Sequence, residues 1–132
     1  MANIIEITDF SDPQLDIYAR LTGDGALVAL LGGERVFDFM PDEKTPGPYI
    51  VIGDTFDTEG RVMSDEERRV EVRLHIWSSY RGRAQVLEIE QAVEAAMESA
   101  GQVYIFESFQ ILRDEDWMHG VVVFRTYIER ME

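Results

Sequence analysis

The sequence predicts an α+β fold, in which a mostly antiparallel sheet of about four strands carries one long helix on one face, beside a broken N-terminal helix. Three observations predict it. Residues 69–77 alternate between apolar and polar side chains, residues 81–100 repeat apolar side chains at helical spacing, and two apolar stretches near the C terminus flank a short polar turn. The resulting order of helix, strand, strand, helix, strand, strand is typical of this class.

The N-terminal helix is expected to be interrupted by glycines. Asp12 is predicted to cap "QLDIYARL", with Pro13 at the first helical position, where its missing N–H costs nothing. Asp24 can recap a short second helix through "ALVALLGG", which the Gly32–Gly33 pair ends. We therefore predict two short helices before residue 34, in place of one long helix.

A proline-rich connector precedes the first strand. The stretch "VFDFMPDEKTPGPYIVIGD", residues 36–54, holds three prolines. Proline fixes its own backbone and pushes the preceding residue towards extended conformations, so this stretch is predicted to be rigid and non-helical. The connector is expected to fix the direction of the strand that follows it, "PYIVIGDTF". This strand is apolar on both faces at first and is expected to be central or covered on both sides.

An acidic segment follows that strand and is predicted to be a solvated loop or a hairpin tip. It contains one base, Arg61, and its acids do not have the alternate spacing of a helix–loop–helix calcium site. The acids are Asp54, Asp57, Glu59, Asp65, Glu66 and Glu67.

The clearest strand and the long helix come next. In "RRVEVRLHIW" one face is predicted to hold Val70, Val72, Leu74 and Ile76, and the other Arg69, Glu71, Arg73, His75 and Trp77. Ser78 and Ser79 are expected to cap a helix from about residue 81 to residue 100, which Gly101 ends. Its buried stripe is predicted to be Val86, Ile89, Val93, Met97 and Ala100.

The last two strands, "QVYIFESFQIL" and "GVVVFRTYIER", suit an antiparallel hairpin around a turn at residues 114–120. Their aromatic residues make both sheet faces rather apolar, whereas one helix covers only one face. Either the N-terminal helical segment covers the second face, or a second subunit does. The aromatic residues concerned are Tyr104, Phe106, Phe109, Phe124 and Tyr127, with Trp77 on the far face.

Composition excludes several classes of function. The 132 residues are enough for a single domain, with residues 1–12 as an N-terminal arm, and the net charge of −14 works against binding to nucleic acid phosphates or anionic lipid. The absence of cysteine excludes disulfides and thiolate chemistry, and His75 and His119 are too few for a histidine metal site. Without an apolar run of roughly 20 residues, the chain is expected to be soluble and made inside a cell. No catalytic, cofactor or metal site is predicted.

Several of these segments coincide in order and spacing with a known family. "LLGGERVFDFMPDEKTPGPYIVIGD", a polar loop and "VEVRLHIWSSYRGRAQVLEIEQAVEAAM" resemble the tail completion, or tail terminator, proteins of long-tailed bacteriophages, prophages and gene-transfer particles. The resemblance covers nearly the whole chain after about Leu15, and the "MANIIEITDFSD" extension departs from it. The matching positions are Arg35-Val36-Phe37, Pro41, Pro48-Tyr49, His75-Ile76-Trp77-Ser78 and Gly82-Arg83-Ala84.

The resemblance implies a structural virion protein, not an enzyme. Such a protein assembles in the bacterial cytoplasm as a homo-hexameric ring on the head-proximal end of the tail tube. Its partners are other copies of itself, the tail tube protein and a head-completion or connector protein, while DNA only passes through. The acidic segment is then the candidate for the lumen or for a docking loop. The interface candidates are Trp77, His75, Arg73, Pro48, Tyr49, Tyr104 and Phe106.

Two other functions remain open on the residues alone: a small-molecule-binding α+β domain without catalysis, and a hydrolase. A binding domain is expected to show a deep apolar pocket and to stay monomeric or dimeric. A ring-forming protein is expected to show a broad apolar surface. The mass of the assembly in solution distinguishes the two.

Overall fold

The computed structural model describes residues 13–57, 67–98 and 101–129, and in these ranges the chain forms three helices and five strands. The predicted α+β class is confirmed. The sheet has one strand more than expected, because two residues of the connector region pair in parallel with the first long strand. The elements are α1 (Gln14–Thr22), α2 (Gly25–Leu31), β1 (Val36–Phe37), β2 (Tyr49–Asp57), β3 (Glu67–Ser78), α3 (Ala84–Met97), β4 (Ile105–Asp114) and β5 (Trp117–Glu129).

The sheet has the strand order β1-β2-β3-β5-β4, and all pairs except β1 with β2 are antiparallel. The alternating strand, β3, lies in the middle, where Ile76 is opposite Ile50 on one side and Gly120 on the other. Its predicted inward residues, Val70, Val72, Leu74 and Ile76, are each at most 1% exposed. A period of two in the sequence thus predicted this strand and the orientation of its side chains correctly, although it did not predict that the strand is central.

All three helices pack on the same face of the sheet. The predicted stripe of α3 is buried at Val86, Ile89, Val93 and Met97, while Ala100 lies outside the described residues. Ile17 and Leu21 of α1 belong to the same core as Leu74 and Ile76 of β3. The N-terminal helices therefore do not cover the second face, and that alternative is wrong for the described part of the chain.

Arg20 explains why α1 lies beside α3. Its guanidinium donates hydrogen bonds to the backbone oxygen of Met97 at 2.8 Å and to that of Gln102 at 2.6 Å. Asp16, one turn earlier in α1, accepts from Arg20 Nε at 2.9 Å. An anchored arginine thus ties the first helix to the C-terminal end of the third.

The helix ends agree only in part with the predicted caps. Asp24 accepts from Leu27 N at 3.0 Å and α2 ends at Gly32 in a left-handed conformation, both as predicted. Pro13 is itself the N-cap of α1, and Asp12 lies outside the described residues. Neither Ser78 nor Ser79 caps α3. Its N-cap is Arg83, because Ser78 is the last residue of β3 and its hydroxyl donates to Gln85.

The proline connector is held by one side chain. Arg35 Nε donates to the Pro48 oxygen at 3.0 Å, and its guanidinium also contacts the Pro46 oxygen. The Arg35 oxygen in turn accepts from Ile50 N at 3.0 Å. The connector thus returns to the start of β2 beside β1, and its direction is set by hydrogen bonds as well as by proline.

Candidate functional site: the open face of the sheet

The sheet presents one face to the helices and a second face that no helix among the described residues covers. We call this second face the open face. Its residues follow from the strand registers, since Trp77 is opposite both Tyr49 and His119, and His75 is opposite Val51 and Val121. Each of these positions alternates with a buried residue of the helix-side core.

A continuous row of six aromatic side chains crosses one end of the open face. Every neighbouring pair has ring centroids within the 4.5–7 Å range of favourable aromatic contacts or closer. In order, the centroid distances are Phe37–Tyr49 5.8 Å, Tyr49–Trp117 5.8 Å, Trp117–Trp77 6.1 Å, Trp77–His119 3.9 Å and His119–His75 5.0 Å. Trp77 is thus packed between Trp117 at its edge and the parallel ring of His119.

The two histidines form a hydrogen-bonded pair at the end of this row. His75 Nδ1 and His119 Nε2 are 2.8 Å apart, so one nitrogen must donate and the other accept. The pKa of His119 is lowered to about 4, chiefly by burial and also by the charge of His75, while Asp114 opposes the shift. His119 is therefore neutral at neutral pH. Gly53 makes room for this pair, because a Cβ there would lie 2.9 Å from His75 Nε2.

The rest of the open face carries arginines. Arg73 is 3.4 Å from Glu71, and Arg125 is 3.0 Å from Glu107 and lies over the ring of Tyr127 at 5.8 Å. Arg69 is a third arginine on this face. Asp114, which lies opposite Trp117, is a third acid on this face beside Glu71 and Glu107, so the described acids and arginines balance. The open face is thus aromatic at one end and of mixed charge along its length.

Two buried donors of this face, Trp77 Nε1 and Arg125 Nε, have no acceptor among the residues described. A buried donor without a partner costs roughly 1–3 kcal/mol. Both donors are therefore able to take an acceptor from outside the described residues.

Comparison with known proteins gives the family. The family model described as "Tail completion protein gp17" matches residues 16–129. The chain belongs to this tail completion family. The resemblance found in the sequence is thereby confirmed, and the chain is a structural component of a phage-type tail.

Two solved structures share the fold of this family member. A chain of the "virion of native gene transfer agent (GTA) particle" has a TM-score of 0.74 and 23% identity, covering 86% of this chain and 91% of that one. The gp17 protein of bacteriophage SPP1 has a TM-score of 0.51 and 22% identity, covering 90% and 88%. No curated protein matches the sequence. At these identities the two structures support the fold alone.

The structure of this tail completion protein brings most of the predicted interface residues together. Arg73, His75, Trp77 and Tyr49 all lie on the open face. Pro48 directly precedes Tyr49 and is half-buried. These five residues form one continuous region.

Tyr104 and Phe106 lie elsewhere. The Tyr104 hydroxyl donates to Asp16 at 2.7 Å and Arg20 lies 4.9 Å over its ring, so this side chain is buried on the helix side. Phe106 is 44% exposed and packs against Phe124, which also faces the helices. A contact of either residue with a partner stays a prediction.

The predicted acidic loop is shorter than expected at both ends. Asp54 and Asp57 belong to β2, and Glu67 is the first residue of β3. The strands extend further because β2 continues to pair with β3 beyond an irregularity between Ile52 and Thr55. Glu59, Asp65 and Glu66 lie outside the described residues.

Sequence reasoning missed Trp117 and His119 as members of the site. It assigned them to a turn at residues 114–120, whereas the turn is only Glu115–Asp116 and β5 begins at Trp117. Glu115 adopts the positive φ of 57° that so tight a turn requires. Continuing the alternation of β5 backwards from Val121 would have placed both rings on the face of Trp77.

The described residues also bear on three other kinds of site: a metal site, a membrane span and a small-molecule pocket. Within the described residues no group of three or more His, Cys, Asp or Glu side chains could hold a metal ion, and no helix is long and apolar enough to cross a membrane. A half-open groove of about 410 Å³ lies between α1 and β1. Leu15, Tyr18 and Phe39 line it, and all three are exposed.

Proposed function

We propose that this chain forms a closed homo-hexameric ring that caps the head-proximal end of the tail tube and joins the tail to a head-completion protein. The match of residues 16–129 to the tail completion family carries the proposal. The likeness to a chain of a gene transfer agent virion supports a place in an assembled particle. DNA passes through the ring without being bound.

The open face supports self-association. Aromatic residues and arginine are enriched in protein–protein interfaces, and Trp77, Trp117, Arg73 and Arg125 lie together on this face. A head-to-tail contact between identical subunits closes into a ring when its rotation allows, and otherwise grows into a fibre. The proposed interface residues are therefore those of the open face, together with Pro48 at its edge.

The charge of the chain supports passive passage of DNA. Each copy has a net charge of −14, so six copies together have a net charge of −84. A lumen lined by some of these acids would repel phosphates and keep DNA from adhering. The acidic segment from Asp54 to Glu67 is the proposed lumen or docking surface.

Particles made without this protein test the role in the tail. We expect them to contain unjoined heads and tails, and we expect the supplied gene to restore joined particles with a ring visible by cryo-electron microscopy at the head-proximal tail end. Joined, infectious or DNA-transferring particles in the absence of the protein would overturn the proposal.

Charge reversal of the acidic segment tests whether this segment is a lumen or docking surface. Solvated charges, which the sequence predicts here, contribute little to stability, so we expect the fold to survive the reversal, while DNA binding at low salt should appear or tail joining should fail. If the reversed chain folds, binds no DNA and still restores joined particles, the segment has neither role. The substitutions are Asp57, Glu59, Asp65, Glu66 and Glu67, each to Lys.

The groove between α1 and β1 favours one competing function, the binding of a small apolar molecule. The two functions differ in assembly state. Light scattering of the purified chain, alone and with tail tube protein, should give the mass of a ring. A monomer under both conditions that binds a small apolar ligand at Leu15 and Phe39 would favour the competing function.

A further inference from the structure

The groove between α1 and β1 gathers apolar side chains that face solvent in the described part of the chain. Leu15 of α1 is 77% exposed, and Phe39, two residues after β1, is 67% exposed. Tyr18 lies one turn after Leu15 and is also exposed, while Val36 and Ile52 line the buried side of the groove. An apolar groove of about 410 Å³ is of a size that receives a small ligand or a few side chains of another segment.

The outer edge of β1 borders this groove and offers backbone hydrogen-bonding groups. Among the described strands, β1 pairs with β2 alone. The Arg35 oxygen accepts from Ile50 N, and in a parallel pair alternate residues turn their N–H and C=O groups towards the neighbouring strand. The N–H and C=O of Val36 therefore point away from β2. An extended segment laid along this edge can accept a hydrogen bond from Val36 and donate one to it.

The N-terminal arm, residues 1–12, joins the described part of the chain at this groove. Gln14 and Leu15, the first two residues of α1, both line the groove. The arm therefore starts beside the groove and needs no long connection to reach it. The match to the tail completion family begins at residue 16, so the arm is not part of the pattern that the family shares.

The sequence of the arm suits a strand at the edge of a sheet. Residues 3–10 are "NIIEITDF", in which three isoleucines and a threonine have the β-branched side chains that favour strands. At the centre of this stretch, Ile5 and Ile7 alternate with Glu6 and Thr8. In an extended segment the two isoleucines therefore lie on one side and the two polar residues on the other.

We propose that residues 4–8 of the arm add as an extended strand to the outer edge of β1 of the same chain. Ile5 and Ile7 enter the groove and cover Phe39. The occupant is the chain's own arm, because attachment beside the groove gives it an effective concentration of roughly millimolar, which a separate copy in dilute solution does not reach. A small apolar molecule would have to displace the arm before it could bind.

A disulfide between two introduced cysteines tests this contact, because the chain contains no cysteine of its own. Ile7→Cys with Phe39→Cys should link within one chain under mild oxidation, since the two side chains meet in the groove. Thr8→Cys with Phe39→Cys is the matched control. Its connection to the groove is almost the same length, but its side chain points to the other side, so it should link at least about tenfold more slowly.

Hydrogen exchange of the full chain gives a second measurement. Ile7→Asp places a charge where the groove is apolar and should release the arm, because a charge is costly to bury without a partner. The amide of Val36 should then exchange at least about tenfold faster than in the wild type. Thr8→Asp adds the same charge on the opposite side of the arm, and it should leave the exchange of Val36 unchanged.

Three results would overturn the inference. A disulfide between two copies would mean that the arm occupies the groove of another copy. Equal rates of linking for the Ile7 and Thr8 pairs would mean that the arm has no fixed place in the groove. Exchange of Val36 that is the same in both aspartate variants and in the wild type would mean that the arm does not pair with β1. Because the link is read from the mass of the denatured chain, the result does not depend on whether the proposed ring forms.

Discussion

Glu90 should make the folded protein less stable as the pH rises from 4.5 to 8. It lies on α3 with only 5% of its surface exposed, and its Oε2 has no hydrogen-bond donor in the described part of the chain. The pKa of Glu90 is raised from 4.5 to about 8, chiefly by burial and also by the hydrogen bond and the charge of Glu94. At neutral pH the folded chain therefore holds a proton on Glu90 that the unfolded chain releases.

The sign of the effect follows from this proton. Between pH 4.5 and 8 the folded state binds more protons than the unfolded state, so the free energy of unfolding falls as pH rises. The free energy of unfolding falls by at most about 1.4 kcal/mol for each pH unit. Since pH 7 lies about 2.5 units above the pKa of Glu90 in the unfolded chain, the total loss at pH 7 is at most about 3 kcal/mol. Glu90→Gln removes this penalty and keeps a donor towards Glu94. We expect it to stabilise the protein by about 1–3 kcal/mol at pH 7.

Urea unfolding at several pH values measures this gain. The difference between Glu90→Gln and the wild type should be near zero at pH 4 and should grow steadily to pH 8. Glu88→Gln is the matched control, because Glu88 is an exposed glutamate of the same helix, and its difference should stay small throughout. A difference for Glu90→Gln that does not change with pH would mean that Glu90 ionises normally, and the reasoning from burial would be refuted.

Three further substitutions test the packing described above. Trp77→Ala should lower the free energy of unfolding by about 3 kcal/mol, the low end for truncation of a buried tryptophan, and should weaken assembly. An unchanged melting temperature and an unchanged mass of the assembly would mean that the indole side chain is simply exposed. Gly120→Ala should cost about 1–3 kcal/mol, because its Cβ would lie 2.9 Å from Val86 Cγ1, whereas Gly25→Ala meets no atom within 4 Å and should be nearly neutral. Arg20→Met should cost about 3 kcal/mol by leaving the oxygens of Met97 and Gln102 without this donor, and thermal unfolding that matches the wild type would contradict its role as an anchor.

Local periodicity predicted the elements, but not which face of the sheet the N-terminal helices would take. The alternation of β3 and the stripe of α3 are set by residues close in sequence, so both could be predicted. The position of α1 depends on hydrogen bonds from Arg20 to residues 77 and 82 positions away, and no local pattern reports such contacts. The second face was therefore left open between two alternatives until the structure excluded one.

Only part of the aromatic row on the open face could be predicted from local periodicity. Trp77 and His75 were found because they lie within a long regular strand. Their partners Trp117 and His119 were missed because the acids before them suggested a wider turn. A two-residue turn with Glu115 at positive φ adds three residues to the start of β5 and joins both rings to the row. The length of a turn thus decided which aromatic residues belong to the open face.

The aromatic row also suggests how an uncovered sheet face can persist before assembly. Trp77 lies flat on His119 at 3.9 Å and meets the edge of Trp117, so these rings shield one another. Tyr49 and Val51 on the same face are only 3% and 6% exposed without any described helix above them. The apolar area left for a partner is therefore smaller than the number of aromatic residues suggests, and burial alone gives a weak drive to associate.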